Sequence, residues 1–99
     1  MTTYTVAALY KFTAFPDFES WQEKIRDFAN AREICGSLLI ASEGVNGTIA
    51  GPTETGMREM IDYLEAIPAI GTLEVKYSHA QAKPFKRMKV RLKEEIVRM

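Results

Sequence analysis

Residues 38–51, LLIASEGVNGTIAG, constrain the fold more than any other stretch of the chain. An apolar run, Leu38-Leu39-Ile40-Ala41, is followed by Ser42-Glu43-Gly44, then Val45, then the pair Asn46-Gly47. Asn and Gly accept positive φ at low cost, so Asn46-Gly47 predicts a chain reversal at that point. Thr48-Ile49-Ala50 offers the returning strand, and Gly51-Pro52 ends it. A hairpin set between two helices is the middle of a β-α-β-β-α-β chain, so the flanks decide the architecture.

Both flanks carry the expected periodicities. Thr3 to Phe12 is rich in β-branched and aromatic residues and reads as a first strand, apolar enough to lie centrally in a sheet. Phe15-Pro16-Asp17 stops it, with Asp17 available as a helix cap. Phe18, Trp21, Ile25 and Phe28 then recur at spacings of three and four, one face of an amphipathic helix ending near residues 30–33. Because Trp21 and Phe28 share the stripe that must face the sheet, they read as core rather than as a ligand platform. After Pro52, Thr53 or Thr55 can cap a second helix whose buried face is Met57, Met60, Ile61, Leu64 and Ile67, with Pro68 ending it. Leu73, Val75 and Tyr77 alternate with polar residues over about 72–78, a half-buried strand. Residues 79–87 read as irregular. Met88, Val90 and Leu92 then alternate with Lys89, Arg91 and Lys93, a further strand with one apolar and one basic face.

Two helices on one face of a sheet in this order define an α+β, ferredoxin-like (acylphosphatase-like) βαββαβ sandwich with an extra C-terminal strand. Right-handed crossovers put the first and third strands side by side in the centre. The strand at 88–93 is then an addition at an edge, or the start of a neighbouring module. A fold of this kind hosts many functions and selects none.

With 99 residues, residues 1–99 make one domain, and 46% hydrophobic against 26% charged residues is an ordinary globular balance. A single cysteine, Cys35, excludes an internal disulfide framework, and one Cys with one His makes a structural zinc site implausible. No signal peptide and no apolar run of bilayer length is present, so a cytoplasmic protein without a membrane partner is expected. The zero net charge hides an asymmetry: residues 1–75 carry 5 Lys/Arg against 11 Asp/Glu, and residues 76–99 carry 8 against 2. That hints at an anionic partner for the basic end.

Few groupings could carry chemistry. No paired-carboxylate site, Ser-His-Asp set, phosphate-binding glycine loop or metal cluster can be assembled, so no catalytic residue, metal or cofactor is assigned to this domain. Glu43 reads as a turn residue and His79 as a surface histidine. Cys35 reads as a small apolar residue at a strand start, since no neighbouring His or cluster of bases would activate its thiol. The remaining constellation is Lys83, Phe85, Lys86, Arg87, Lys89, Arg91 and Lys93. Cations with an interleaved ring can neutralise phosphates while the ring stacks on a base. A solvated edge strand would carry the same lysines to block edge-to-edge pairing, so both readings stay open. Recognition of the RNP type is disfavoured, because Gly47-Thr48-Ile49-Ala50-Gly51 on the third strand holds no stacking aromatic.

Three segments resemble the N-terminal domain of the bacterial rhodanese-like tRNA uridine hydroxylase family: ALYKF at 8–12, GSLLIASEGVNGTIAG at 36–51 and PFKRMKVRLKEEIV at 84–97. Together they span nearly the whole chain in order. The resemblance implies a family that oxidises the wobble uridine of certain tRNAs to 5-hydroxyuridine with molecular oxygen as co-substrate. It also implies an essential cysteine in a rhodanese domain that follows the KVRLKEEIV segment. Cys35 does not match that cysteine and inherits no role. This chain is therefore expected to be the accessory N-terminal domain, with tRNA and the C-terminal rhodanese domain of the full-length chain as its partners, and not to be catalytic alone. Its basic residues would contact tRNA phosphates, with Phe85 stacking. Two alternatives stand beside this one. A structural module could pack its basic strand on the rhodanese domain without RNA contact. An acylphosphatase-like enzyme would need an Arg on the loop after the first strand and a nearby Asn, but residues 13–17 supply no Arg and no Gly and carry Asp17.

Overall fold

A computed structural model describes residues 3–82 and 87–93. Five strands and two helices follow in the order β1 (Tyr4–Phe12), α1 (Gln22–Ala31), β2 (Cys35–Ala41), β3 (Gly44–Gly51), α2 (Glu54–Glu65), β4 (Glu74–Ala80) and β5 (Met88–Lys93), with a 3-10 turn at Phe18–Trp21 leading into α1. The sheet order is β4-β1-β3-β2-β5, with β1 and β3 central. The first four strands pair antiparallel, whereas β5 adds to the edge of β2 in parallel, making a mixed sheet. This is the expected ferredoxin-like α+β sandwich, and the extra strand is an edge of the same sheet.

Period-two alternation assigns the two faces of the sheet. Ala7 and Leu9 of β1, Leu38 and Ile40 of β2, and Val45 and Ile49 of β3 are buried beneath the helices. From the helical side, Ile25 and Ala29 of α1 and Met57, Met60, Ile61 and Leu64 of α2 complete the core, matching the apolar stripes. Trp21 and Phe28 are half-buried between the helices, where the Phe28 ring stacks on Tyr63 at 4.0 Å and Trp21 meets it edge-on at 6.2 Å. Burial there raises the pKa of the Tyr63 hydroxyl above the ordinary tyrosine value. Thr53 caps α2, its Oγ1 accepting from Gly56 N at 2.9 Å.

Four local expectations are corrected. The chain reverses at Ser42-Glu43, where Ala41 pairs with Gly44; Asn46 and Gly47 lie inside β3, paired to Leu39 and Leu38 on one side and to Tyr10 and Leu9 on the other. Gly47 is needed there for close approach, since a Cβ would sit 2.1 Å from the Ser37 carbonyl oxygen. Gly44 meets the same demand from β1, a Cβ there falling 1.9 Å from the Lys11 carbonyl oxygen. Asp17 offers no side-chain cap; its carbonyl accepts from Ser20 N and Oγ instead. The strand expected at 72–78 runs Glu74–Ala80, so His79 lies within β4 rather than in an irregular segment. Tyr77 is 53% exposed rather than half-buried, because β4 is an edge strand on which only Val75 packs against the core.

Candidate nucleic-acid interface

The basic residues that the structure describes gather on β5. Its register against β2 pairs Met88 with Gly36, Lys89 with Ser37, Val90 with Leu38, Arg91 with Leu39, Leu92 with Ile40 and Lys93 with Ala41. Met88 and Val90 are buried under α1, so alternation turns Lys89 and Arg91 to the opposite, uncovered face of the sheet, where both are exposed. Arg87, also exposed, anchors the start of the strand by accepting Gly36 N–H at its carbonyl, 3.0 Å. Lys83, Phe85 and Lys86 lie outside the described residues, and Lys93 is placed by register alone.

One contributor was not legible as part of this cluster. Arg26 and Asn30 on α1 line, with Arg87, Lys89 and Arg91, a cleft of about 490 Å³ along β5. Among the described residues, Arg26 makes a long ion pair with exposed Glu23, 3.9 Å, an arrangement of small energetic worth. In sequence Arg26 reads as a solvent-side helix residue, and only the packing of α1 on β5 brings it to the basic strand. Four cations thus border one cleft. The acids Glu19, Glu23, Asp27, Glu54, Glu59, Asp62 and Glu65 belong to the helical layer, from which Arg26 of α1 reaches the cleft at the sheet edge. The charge asymmetry along the chain is therefore also an asymmetry between layers.

Other residues singled out from the sequence fall elsewhere. His79 is on β4, at the opposite edge of the sheet from β5, with Nε2 3.7 Å from Glu54 Oε2. Cys35 is 3% exposed, and its thiol donates a long, 3.5 Å bond to the Ala50 carbonyl. Glu43 forms the β2–β3 turn and accepts Thr13 N–H at its carbonyl, 2.9 Å. Among the described residues, no group of His, Cys, Asp or Glu is arranged to hold a metal ion, and no helix is long and apolar enough to cross a membrane.

The loop after β1, where an acylphosphatase would cradle phosphate, is occupied by the protein itself. Thr13 N and Phe15 N donate to the carbonyls of Glu43 and Ser42, each at 2.9 Å, while Thr13 Oγ1 donates to the Ala69 carbonyl at 3.0 Å. Phe15 is fully buried and belongs to the core. The Thr13 and Phe15 amides are thus already paired, and Asp17 adds a negative charge to the loop.

Fold and site together define a ferredoxin-like α+β domain with a cationic strand on one edge. Residues 4–96 match the family model described as "UPF0176 acylphosphatase like domain", and the chain belongs to that family. A curated relative, the tRNA uridine(34) hydroxylase of Brucella ovis, is 50% identical over 96 residues, covering 97% of this chain and 31% of that protein; the counterpart in Brucella melitensis matches equally. The chain thus spans about a third of the length of the curated relatives it matches. Among solved structures, an acylphosphatase from Coxiella burnetii superposes with a TM-score of 0.64 at 14% identity, covering 91% of this chain and 94% of that one. Full-length HypF gives a TM-score of 0.72 at 15% identity, over 96% of this chain and 13% of that one. At such identities the likeness is one of fold.

Proposed function

We propose that this domain helps a tRNA uridine(34) hydroxylase hold its tRNA, gripping the phosphate backbone along β5. The observation that carries this reading is the cleft at the β5 edge of the sheet, where Arg26 of α1 converges with Arg87, Lys89 and Arg91. Lysine and arginine side chains in such a row displace condensed counterions from a nucleic acid backbone, and that release is the main source of sequence-independent affinity. The names of the relatives supply the identity of the RNA. Lys83, Lys86 and Lys93 extend the same basic run in sequence, with Phe85 as an interleaved ring.

In this reading the oxidation of uridine, with molecular oxygen as co-substrate, belongs to a rhodanese domain outside this chain. Burial of Cys35 fits a packing role for the one thiol present here. The domain contributes binding energy and orientation to that reaction.

The test is a salt titration of tRNA binding to the 99-residue chain. Four to six phosphate contacts give a log–log slope of roughly −3 to −5, at about 0.7–0.9 per contact. Lys89→Glu with Arg91→Glu should flatten the slope by about 1.4–1.8 and weaken every tRNA alike. Absence of binding at low salt would instead make β5 an intramolecular surface.

A further inference from the structure

The face of the sheet opposite the helices carries a second feature, which the basic edge does not explain. Tyr10 and Phe12 on the central strand β1 are 50% and 57% exposed. Their rings meet edge-on, with centroids 5.9 Å apart at 66°. They border a concavity of about 630 Å³ that also takes in Asn46 and Thr48 of β3 and Lys76 of β4. Fold stability does not explain two large rings left in water, since their neighbours Leu9 and Ala7 already supply this strand's share of the core.

Register connects these rings to the basic strand. One row runs straight across the sheet as Glu74, Tyr10, Asn46, Leu39 and Arg91. The adjacent row runs Lys76, Ala8, Thr48, Ser37 and Lys89. From Arg91 to Tyr10 is three inter-strand spacings, about 14 Å. Each row therefore begins at a cation on β5 and crosses hydrogen-bonding side chains, and the first reaches the Tyr10 ring before it ends at Glu74.

We infer that Tyr10 and Phe12 form a stacking platform for unpaired RNA bases, so that the open sheet face takes single-stranded RNA whose backbone enters over β5. This rests on the reading of β5 as an RNA-binding edge and goes further, by naming the part of the RNA that is bound and the residues that bind it. Stacking on exposed rings beside a cationic track is how sequence-tolerant single-strand recognition works, because every base has a π-face. Asn46 and Thr48 stand in the row where base edges would lie and can hydrogen-bond them. Glu74 directly beside Tyr10 repels a phosphate and can accept from an exocyclic amino group, which makes this the base end of the row and Arg91 the phosphate end. The aromatics absent from β3 are thus supplied by its neighbour β1. Charge argues for RNA over a protein partner: the two rows hold three cations, Lys76, Lys89 and Arg91, against one acid, Glu74, with Glu43 beside Phe12 outside them, and the apolar positions between are interrupted by Asn46, Thr48 and Ser37.

The test compares a labelled single-stranded oligouridylate with a fully paired RNA duplex of equal length, by fluorescence anisotropy at low salt. The single strand should bind the tighter of the two. Tyr10→Leu with Phe12→Leu should weaken single-strand binding about 10-fold or more per stacked base while leaving duplex binding and the salt slope unchanged. Tyr10→Phe should retain binding, and because both rings are exposed the variants should melt within a few degrees of the parent. Single-strand binding that depends on Lys89 and Arg91 but not on Tyr10 and Phe12 would overturn the platform alone. Failure of every RNA to bind would overturn the basic edge and the platform together. Self-association without RNA that the double Leu variant abolishes would overturn the platform in favour of a protein-facing surface.

Discussion

Gln22 Nε2 donates a 2.8 Å hydrogen bond to the carbonyl oxygen of Val90, so the first residue of α1 holds the main chain of β5. Met88 and Val90 pack under the same helix. β5 would otherwise be attached to the sheet by β2 alone. The proposed RNA edge thus owes its position to a helix that lies far from it in sequence.

Replacing Gln22 by Ala removes that tie without touching a charge. The expected cost is about 1 kcal/mol, the usual worth of one such bond. It should fall on β5: hydrogen exchange of the β5 amides should accelerate while the amides of β1 and β3 stay protected. An equal acceleration in all strands would mean that β5 does not open separately from the central sheet.

The location of the hairpin turn bears on what sequence can reveal. The order of elements and both helical stripes were legible, because they follow from local period. The turn was not, because Asn46-Gly47 satisfies two different demands. Glycine allows a reversal, and it also allows two backbones to approach closely; which demand applies depends on how tightly β2 packs against Gly47 in the folded sheet, which the local pattern does not contain. The same limit hid Arg26, which joins β5 only through packing, and hid the outward turn of Tyr10 and Phe12. Alternation around Leu9 held that last signal, since residues one position away from a core residue on a strand face the other side.

Gly47→Ala separates the two explanations of that glycine. The added Cβ would lie 2.1 Å from the Ser37 carbonyl oxygen and 2.8 Å from Leu38 Cα, both main-chain atoms that cannot swing away. Central pairing of β2 with β3 must shift, at an expected cost of at least about 2 kcal/mol in chemical denaturation. A loss of a few tenths of a kcal/mol would be inconsistent with the close approach of the two strands.

Cys35 offers a chemical probe of the same region. Its side chain is buried beside Ala50, so an aromatic disulfide reagent should reach it only through local opening. Labelling in native buffer should be slow and should accelerate sharply in denaturant. Cys35→Ala should leave RNA affinity unchanged, in keeping with a packing role. Rapid stoichiometric labelling of the native protein would contradict that role and reopen the case for a reactive thiol.

Glu33 closes α1 in the left-handed region, with φ of 57°, the one described residue other than glycine with positive φ. The helix end needs this geometry: Ile34 N–H returns to the Ala29 carbonyl at 2.9 Å, and the chain then enters β2 at Cys35. For a residue with a Cβ the conformation costs about 1–2 kcal/mol, whereas glycine adopts it freely but loses more entropy on folding. The exposed carboxylate also stands at the negative end of the helix dipole, which disfavours it further. Glu33→Gly should therefore stabilise the domain by about 0.5–1 kcal/mol. Glu33→Lys provides the control: it relieves the charge at the helix end but keeps the strained backbone, and should yield only about 0.3–0.5 kcal/mol. Equal gains from both variants in thermal melts would mean that charge, and not backbone strain, is what Glu33 contributes.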